Sequence, residues 1–575
     1  MAQSEHDQEL VGYLSKLWDE GAKGREKFSQ KWKRSIDLVA GRGLWPGKRP
    51  SYKIDATMNF LGHTVMNKTA LLTDSKPTIQ VTSRRTDLDD VCDGLTKTVE
   101  AIFEEHSFEQ KMTELVTLEQ HFGLCGTNTC FDKALDYGRG DIDLVILDPR
   151  TFVFDPFVLR TWNLKSGEYF AFETTRPTEQ LRDTHPKFAD DIKADFSSEQ
   201  VKGDSIVSMI RSLFFAKEDQ DTKSSVIPRS IVRDYWVKDR KSRKGDKLAY
   251  PQWREIVVAG GAPVEDGAGP YIDGEIPFDI MEWDFNVDSA YGFNEVQNLE
   301  MPQILFNKLL ALVMESAILM GNPIWIGDEN AMSMKDWERL SNQPGSLVKK
   351  RQGTTLTREG APPLPNYMMN LFTLIINGME KLSGITEVTE GRRPGQVTSG
   401  VAIEQLATAA QTIIRLKARQ IESLLTRVGN KTLSRIFQYY TEDRVFNLLG
   451  PGQRYEQYVY EREKIRAALA KKGISILDAF KDFQFKVVPT TSLTVTKWQK
   501  GLMAIQLMGL GVVDDEEVLE VLEWPNRDRI LERINKKKAS GEMGMRQPTR
   551  QKLPKALTQV RRHPEAPQMG SGEIR

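Results

Sequence analysis

The chain is 575 residues long, 39% apolar and 28% charged, with a formal net charge of −1. That length calls for three or four structural units rather than one ordinary domain, and the balanced charge excludes bulk attraction to nucleic acid, so any such contact must come from local patches. Three cysteines, Cys92, Cys125 and Cys130, are too few for a disulfide framework and suit assembly in a reducing cytoplasm.

Residues 1–7 lack the basic and apolar regions of a signal peptide. Residues 7–40 read as a helix through Leu10, Leu14, Leu17, Trp18, Trp32, Ile36 and Val39, and the glycines and proline of 41–47 break it. A second helix spans Asn59–Leu72 and ends before Pro77, which biases the preceding chain to extended form. Ile79 and Val81 then alternate in a short strand over 78–82. Helices are expected over Asp87–Glu105 and Phe108–Leu124. From Asp141 the apolar period falls to two, giving strands at 142–147, 152–154, 169–174, 231–237 and 253–258. Residues 178–225 are polar and uneven, a helix plus a connection. This block reads as α+β.

The next segment is the most informative. Leu299, Ile304, Leu305, Leu309, Leu312, Val313 and Leu319 recur at helical spacing across Phe293–Met320. Its apolar core, Ile304–Met320, is interrupted by Asn307, Lys308 and Glu315, too short and too charged to cross a bilayer. A Pro/Gly-rich insert, 321–366, separates it from a second helix, Tyr367 to about Glu390, which carries Glu380, Glu387 and Glu390. Then comes a ten-residue strip. Gly391, Pro394, Gly395 and Gly400 give it turn-forming backbone, Arg392 and Arg393 give it charge, and Gln396, Thr398 and Ser399 supply small polar donors. Such groups can meet phosphates without reading bases. A helix over Val401–Tyr440 follows, with Ile414, Ala418, Ile421, Leu425 and Val428 on one stripe. At ~1.5 Å per residue it is roughly 60 Å long and needs partners along its length. Taken alone, it fits a coiled coil or a large helical core.

Downstream, a charged helix is expected over 456–472, a strand over 483–489, and helices over 495–510 and 514–522. The tail from Lys536 has ten basic residues against three glutamates, about +7. Packaged DNA is one partner for it, and disorder without a partner is the plainer account.

Catalytic signatures are missing. The nearest text to a phosphate-binding loop, Gly43-Leu44-Trp45-Pro46-Gly47-Lys48-Arg49, has the wrong spacing and no hydroxyl after the lysine. His121, Cys125 and Cys130 lack a fourth ligand, and Asp87, Asp89, Asp90 and Asp93 sit where a helix dipole favours them. No catalytic residue, metal or cofactor is expected.

The order helix, insert, helix, basic loop, long helix resembles the stem, clip, stem, tunnel loop and spine of the portal proteins of tailed double-stranded DNA bacteriophages. Shorter phrases agree, among them Leu147-Asp148-Pro149, Phe154-Asp155-Pro156, Ser383-Gly384-Ile385-Thr386 and Ser399-Gly400-Val401-Ala402-Ile403. The resemblance implies a helix-rich α+β fold: a wing over 1–290, stem helices over 291–320 and 367–390, a clip over 321–366 and a tunnel loop over 391–400. A spine with wing return would take 401–494, a crown 495–535 and a flexible basic tail 536–575. It further implies a homo-oligomeric ring, commonly of twelve subunits, in the virion at one capsid vertex, assembled in the host cytoplasm among capsid and scaffolding proteins. Double-stranded DNA would pass its axis, driven by the terminase large subunit, and head–tail adaptor or tail proteins would dock later. On that analogy Arg392, Arg393, Gln396, Thr398 and Ser399 face DNA, and Glu380, Glu387 and Glu390 line a wall that repels phosphates. Trp325, Trp337, Lys349, Lys350, Arg351 and Arg358 belong to the docking clip. The alternative is a ring- or filament-forming scaffold with no DNA channel. Each residue group also has a plainer reading: solvated charge, or tryptophans filling the module's own core.

Overall fold

A computed structural model describes residues 2–45, 56–74, 77–85, 88–196, 227–322, 324–338, 348–360, 367–385, 412–450 and 454–488, with isolated positions besides. The chain divides into two units, residues 1–448 with 457–494, and residues 449–456 with 495–575. In the second, the described residues beyond 494 are isolated helical positions such as Ala504 and Val518.

The first unit opens with α1 (Ala2–Val39) and α2 (Phe60–Thr73). Asn59 caps α2, its Oδ1 accepting from Gly62 N–H at 3.1 Å, and its amide also donates to Val39 O at 2.8 Å, which ties the two helices end to end. Strand β1 (Thr78–Ser83), α3 (Asp89–Glu105) and α4 (Phe108–Phe122) follow. Helix α4 stops because Gly123 takes φ +80°, and β2 (Leu124–Asp132) starts at once. The sequence pattern carried that helix to Leu124 and held no strand here. The reason is packing: Leu124–Thr129 are all buried, so β2 is covered on both faces and shows no polar alternation to read.

Next come β3 (Asp141–Leu147), β4 (Phe152–Phe154), β5 (Tyr169–Pro177), α5 (Thr178–Thr184) and β6 (Arg229–Val237). A two-residue ladder, β7 (Arg243–Lys244) with β8 (Lys247–Leu248), precedes β9 (Arg254–Ala259), β10 (Ala262–Ala268) and β11 (Phe278–Glu282). Five strands form one antiparallel sheet in the order β10-β9-β6-β5-β4, and β11-β2-β3 form a second. Aromatic rings join the two, Phe170 of β5 stacking on Phe278 of β11 at 4.2 Å, and in the same core Trp32 of α1 meets Phe122 of α4 edge-on at 5.5 Å.

Helix α6 (Glu295–Gly321) leads into β12 (Ile324–Gly327), the short α7 (Met334–Glu338) and β13 (Leu356–Glu359), then α8 (Tyr367–Ser383) and α9 (Thr412–Tyr439). Next come β14 (Arg444–Gly450) and β15 (Arg454–Tyr460), whose residues 449–456 belong to the second unit, and the first unit closes with α10 (Arg462–Lys471) and β16 (Phe483–Val488), which returns to pair antiparallel with β1. Residues 456–460, expected to be helical, lie in β15. Charged residues spread over Glu456–Lys472 gave no sign of the boundary. Thr78 pairs with Val488 in this closure, across some four hundred residues of chain.

Candidate functional site

The segment from α6 to α9 is anchored at a tight joint. Asn294 caps α6, accepting from Gln297 N–H at 2.8 Å and donating to His121 O at 2.9 Å. A Cβ on Gly123 would lie 2.4 Å from Gly292 O, so only glycine lets the end of α4 approach the start of α6 this closely. The first half of α6 then fastens α2 in place. Gln303 Oε1 accepts from Phe60 N–H at 2.9 Å, and Asn307 Oδ1 from Met58 N–H at 3.0 Å. Gln303 and Asn307 are both fully buried.

Halfway along, α6 leaves the core. Ile304, Phe306, Leu309 and Ala311 are buried, whereas Leu312, Ile318, Leu319 and Met320 are exposed. Helix α8 packs beside it, with Phe306 and Phe372 edge-on at 5.2 Å. It too turns apolar residues outward: Tyr367 and Leu374 are each 67% exposed. At 27 residues α6 is long and apolar enough to cross a membrane, longer than the Ile304–Met320 stretch judged from sequence. Its first half is nevertheless committed to protein by the bonds above.

Between α6 and α8 lies the small module of the clip expectation. β12 and β13 pair antiparallel, Trp325 opposite Arg358, whose guanidinium lies 5.4 Å from the indole centroid. Asp328 Oδ2 accepts from Thr355 N–H at 2.7 Å and from its hydroxyl at 2.8 Å, and these two bonds, the backbone one foremost, hold its carboxyl below the usual range. Trp337 sits on Gly327, within 3.2 Å of where a Cβ would stand, so it helps fill the module's interior. Both tryptophans are half-buried, while Lys349, Lys350, Arg351 and Arg358 are exposed. Lys350 donates to Thr354 O at 3.1 Å and Arg351 N–H to Ala331 O at 3.0 Å.

Glu380 is half-buried on α8. Glu387, Glu390, Arg392, Arg393, Gln396, Thr398 and Ser399 lie outside the described residues.

Helix α9 holds what the sequence reading missed. Its stripe persists, with Ile414, Ile421, Leu425 and Val428 buried, but residues 431–437 are buried on every side. Lys417, Lys431 and Arg435 point inward too. Lys417 Nζ donates to Asp284 Oδ1 at 2.5 Å and to Trp283 O. Lys431 Nζ donates to Asp279 Oδ2 and Phe278 O, both at 2.7 Å, and Arg435 pairs with Asp273 while stacking on Tyr271. Burial lowers the Lys431 ammonium from its ordinary value, and Asp279 opposes that shift. A signal existed: positions 414, 417, 421, 424, 428, 431 and 435 step by three and four, so these cations stand on the apolar stripe itself.

The same junction holds a second buried pair. Lys68 of α2 donates to Glu295 Oε1 at 2.6 Å, and Trp283 Nε1–H donates to Glu295 Oε2 at 2.9 Å, so one carboxylate joins α2, α6 and the chain after β11. Nearby, Glu119 has no exposed surface and neither carboxylate oxygen has a partner. Burial drives its pKa well above the ordinary carboxyl value, which favours the neutral acid.

Two faces thus stand out around α6–α9, an outward apolar one and an inward network of ion pairs. A family model described as phage P22-like portal protein matches residues 57–573. No curated protein matches the chain.

Proposed function

The chain belongs to the phage P22-like portal family, and from that premise we propose that it forms the ring-shaped channel through which double-stranded DNA enters and leaves the capsid. The family is structural rather than enzymatic, and portal role and capsid vertex follow from membership. The observation that carries the finer reading is the exposed apolar flank of α6 and α8. Leucines such as Leu312, Leu319 and Leu374 gain about 1.5–3 kcal/mol each when fully buried. Side-by-side packing of copies supplies that burial. In this reading α6 and α8 are the stem, the β12–β13 module is the clip that meets terminase and later head–tail adaptors, and α9 is the spine.

Arg392, Arg393, Gln396, Thr398 and Ser399 form the polar loop that contacts phosphates in the channel, and the stem glutamates repel DNA from its wall. Electron micrographs of the purified full chain should show rings with an open axis; filaments would favour a scaffold without a channel, and a compact monomer under assembly conditions would end the reading. Replacing Arg392 and Arg393 by Ala should leave rings intact and reduce packaged or retained DNA. Unchanged packaging removes their role.

A further inference from the structure

A cavity of about 520 Å³ opens between α9, β11, residues 161–165 and residues 480–484, away from the α6–α8 flank. Its wall is unevenly charged. Arg84, Lys165, Arg427, Lys431 and Lys481 face only Asp273, Glu275 and Asp279. Asp279 is already shared between Arg427 at 3.2 Å and Lys431 at 2.7 Å, Asp273 is taken by Arg435, Lys165 holds Glu275, and Lys481 lies 2.6 Å from Asp478; the last two pairs are solvent-exposed and weakly held. Ser434 lines the cavity, is 1% exposed, and its hydroxyl has no partner. Beside it in sequence, fully buried Arg435 leaves Nε and Nη2 unbonded. At the mouth, Trp162 is 65% exposed, an unusual position for an indole on a closed surface.

We infer that this cavity is a socket for a carboxylate-bearing segment of a second copy of this chain. Excess cations and an unsatisfied buried hydroxyl ask for an acceptor anion. A carboxylate suits the site better than a phosphate, because three carboxylates already stand in the wall and repel a dianion more strongly. The volume admits a few side chains and no duplex. The exposed Trp162 supplies the aromatic anchor that interface centres favour. Ring contacts are heterologous, joining two different faces of neighbouring copies, and the start of α3 offers exposed carboxylates at Asp89 and Asp90 in its first turn and at Asp93 just beyond. The inference rests on the ring reading above.

The test uses the full chain. Carbodiimide joins touching amines and carboxylates, and rings mixed from ¹⁴N and ¹⁵N protein reveal which links run between copies. Links between Lys481 or Lys165 and an Asp or Glu of the neighbouring copy are expected; links confined within one copy overturn the socket. Lys481→Glu with Trp162→Ala should raise the concentration for half-assembly at least tenfold with unchanged thermal melting, while Lys187→Glu, an exposed control, should leave it unaltered. If wild type forms rings and the double variant assembles equally well, the socket is wrong and the ring survives. If wild type forms no rings, both fall.

Discussion

Helix α9 carries three cations into the interior, whereas α6 and α8 leave leucines facing solvent. Each reverses the usual distribution, and the difference lies in where the partners are. Lys417, Lys431 and Arg435 find theirs inside the chain: Asp284, Asp279 and Asp273 all stand on or beside β11, which packs against α9. Leu312, Leu319 and Leu374 stay half or more exposed among the described residues, and in the ring proposed above a neighbouring copy covers them. Buried charge here marks a self-sufficient framework; exposed apolar surface marks an unfinished one.

That contrast can be broken at either end. The largest effect is expected from Leu312→Lys with Leu319→Lys. Rings should vanish from electron micrographs while the melting temperature stays put, and rings that persist would show that this flank buries nothing. Second is Glu295→Ala, which strips both Lys68 and Trp283 of their acceptor. Removing one member of a buried pair should cost about 3–5 kcal/mol in urea unfolding, and a loss below ~1 kcal/mol would mean the network adds little rigidity.

Gly429→Ala tests how tightly α9 is held. Its Cβ would lie 2.2 Å from the Phe485 ring of β16, and overpacking of about 1–3 kcal/mol should follow. The smallest effect belongs to His106, whose Nε2 lies 3.0 Å from Asp141 Oδ2. That hydrogen bond raises the His106 pKa, outweighing burial. Burial pushes the Asp141 carboxyl up, but bonds from His106, Tyr440 and Ile142 N–H bring it below its ordinary value. The histidine's contribution is full below its unfolded value of about 6.5 and lost as pH rises through the raised folded one. The aspartate's is present above about 3.9 and lost as pH falls through its lowered value. His106→Gln should therefore cost about 1 kcal/mol between roughly pH 4 and 6.5 and less by pH 8. A constant difference across that range would separate the pair from the titration.

Legibility followed exposure to one solvent-facing side. α3, β1 and β9 were readable because one face is buried and the other is not, whereas β5 and β6, buried on both faces, were readable only as β-branched and aromatic runs bounded by turn formers. β2 and the last turns of α9 are covered all round, so their residues carry no contrast. β11 escaped notice for the same reason: Phe278–Glu282 are all buried, including Asp279 and Glu282. Glu282 illustrates the consequence, its pKa pushed up to about 7 by burial against the pull of Thr161 and Arg160. In the candidate site, the apolar runs of α6 and α8 were visible in the sequence, and so were Trp325 and Trp337. Their surroundings were not, since Trp337 resting on Gly327 is a contact between residues ten apart in a non-repeating module.

Sequence alone marked α6, α8 and α9 as helices and the Pro/Gly-rich break between the first two, because helical periodicity and turn-forming residues are local properties of the chain. It also placed the chain among portal proteins, since that order carries the likeness. Only the tertiary structure decided which carboxylates Lys417, Lys431 and Arg435 meet inside and that Leu312 and Leu319 stand outside. Whether a cation is buried depends on a carboxylate more than a hundred residues away, and no local pattern encodes such a partner.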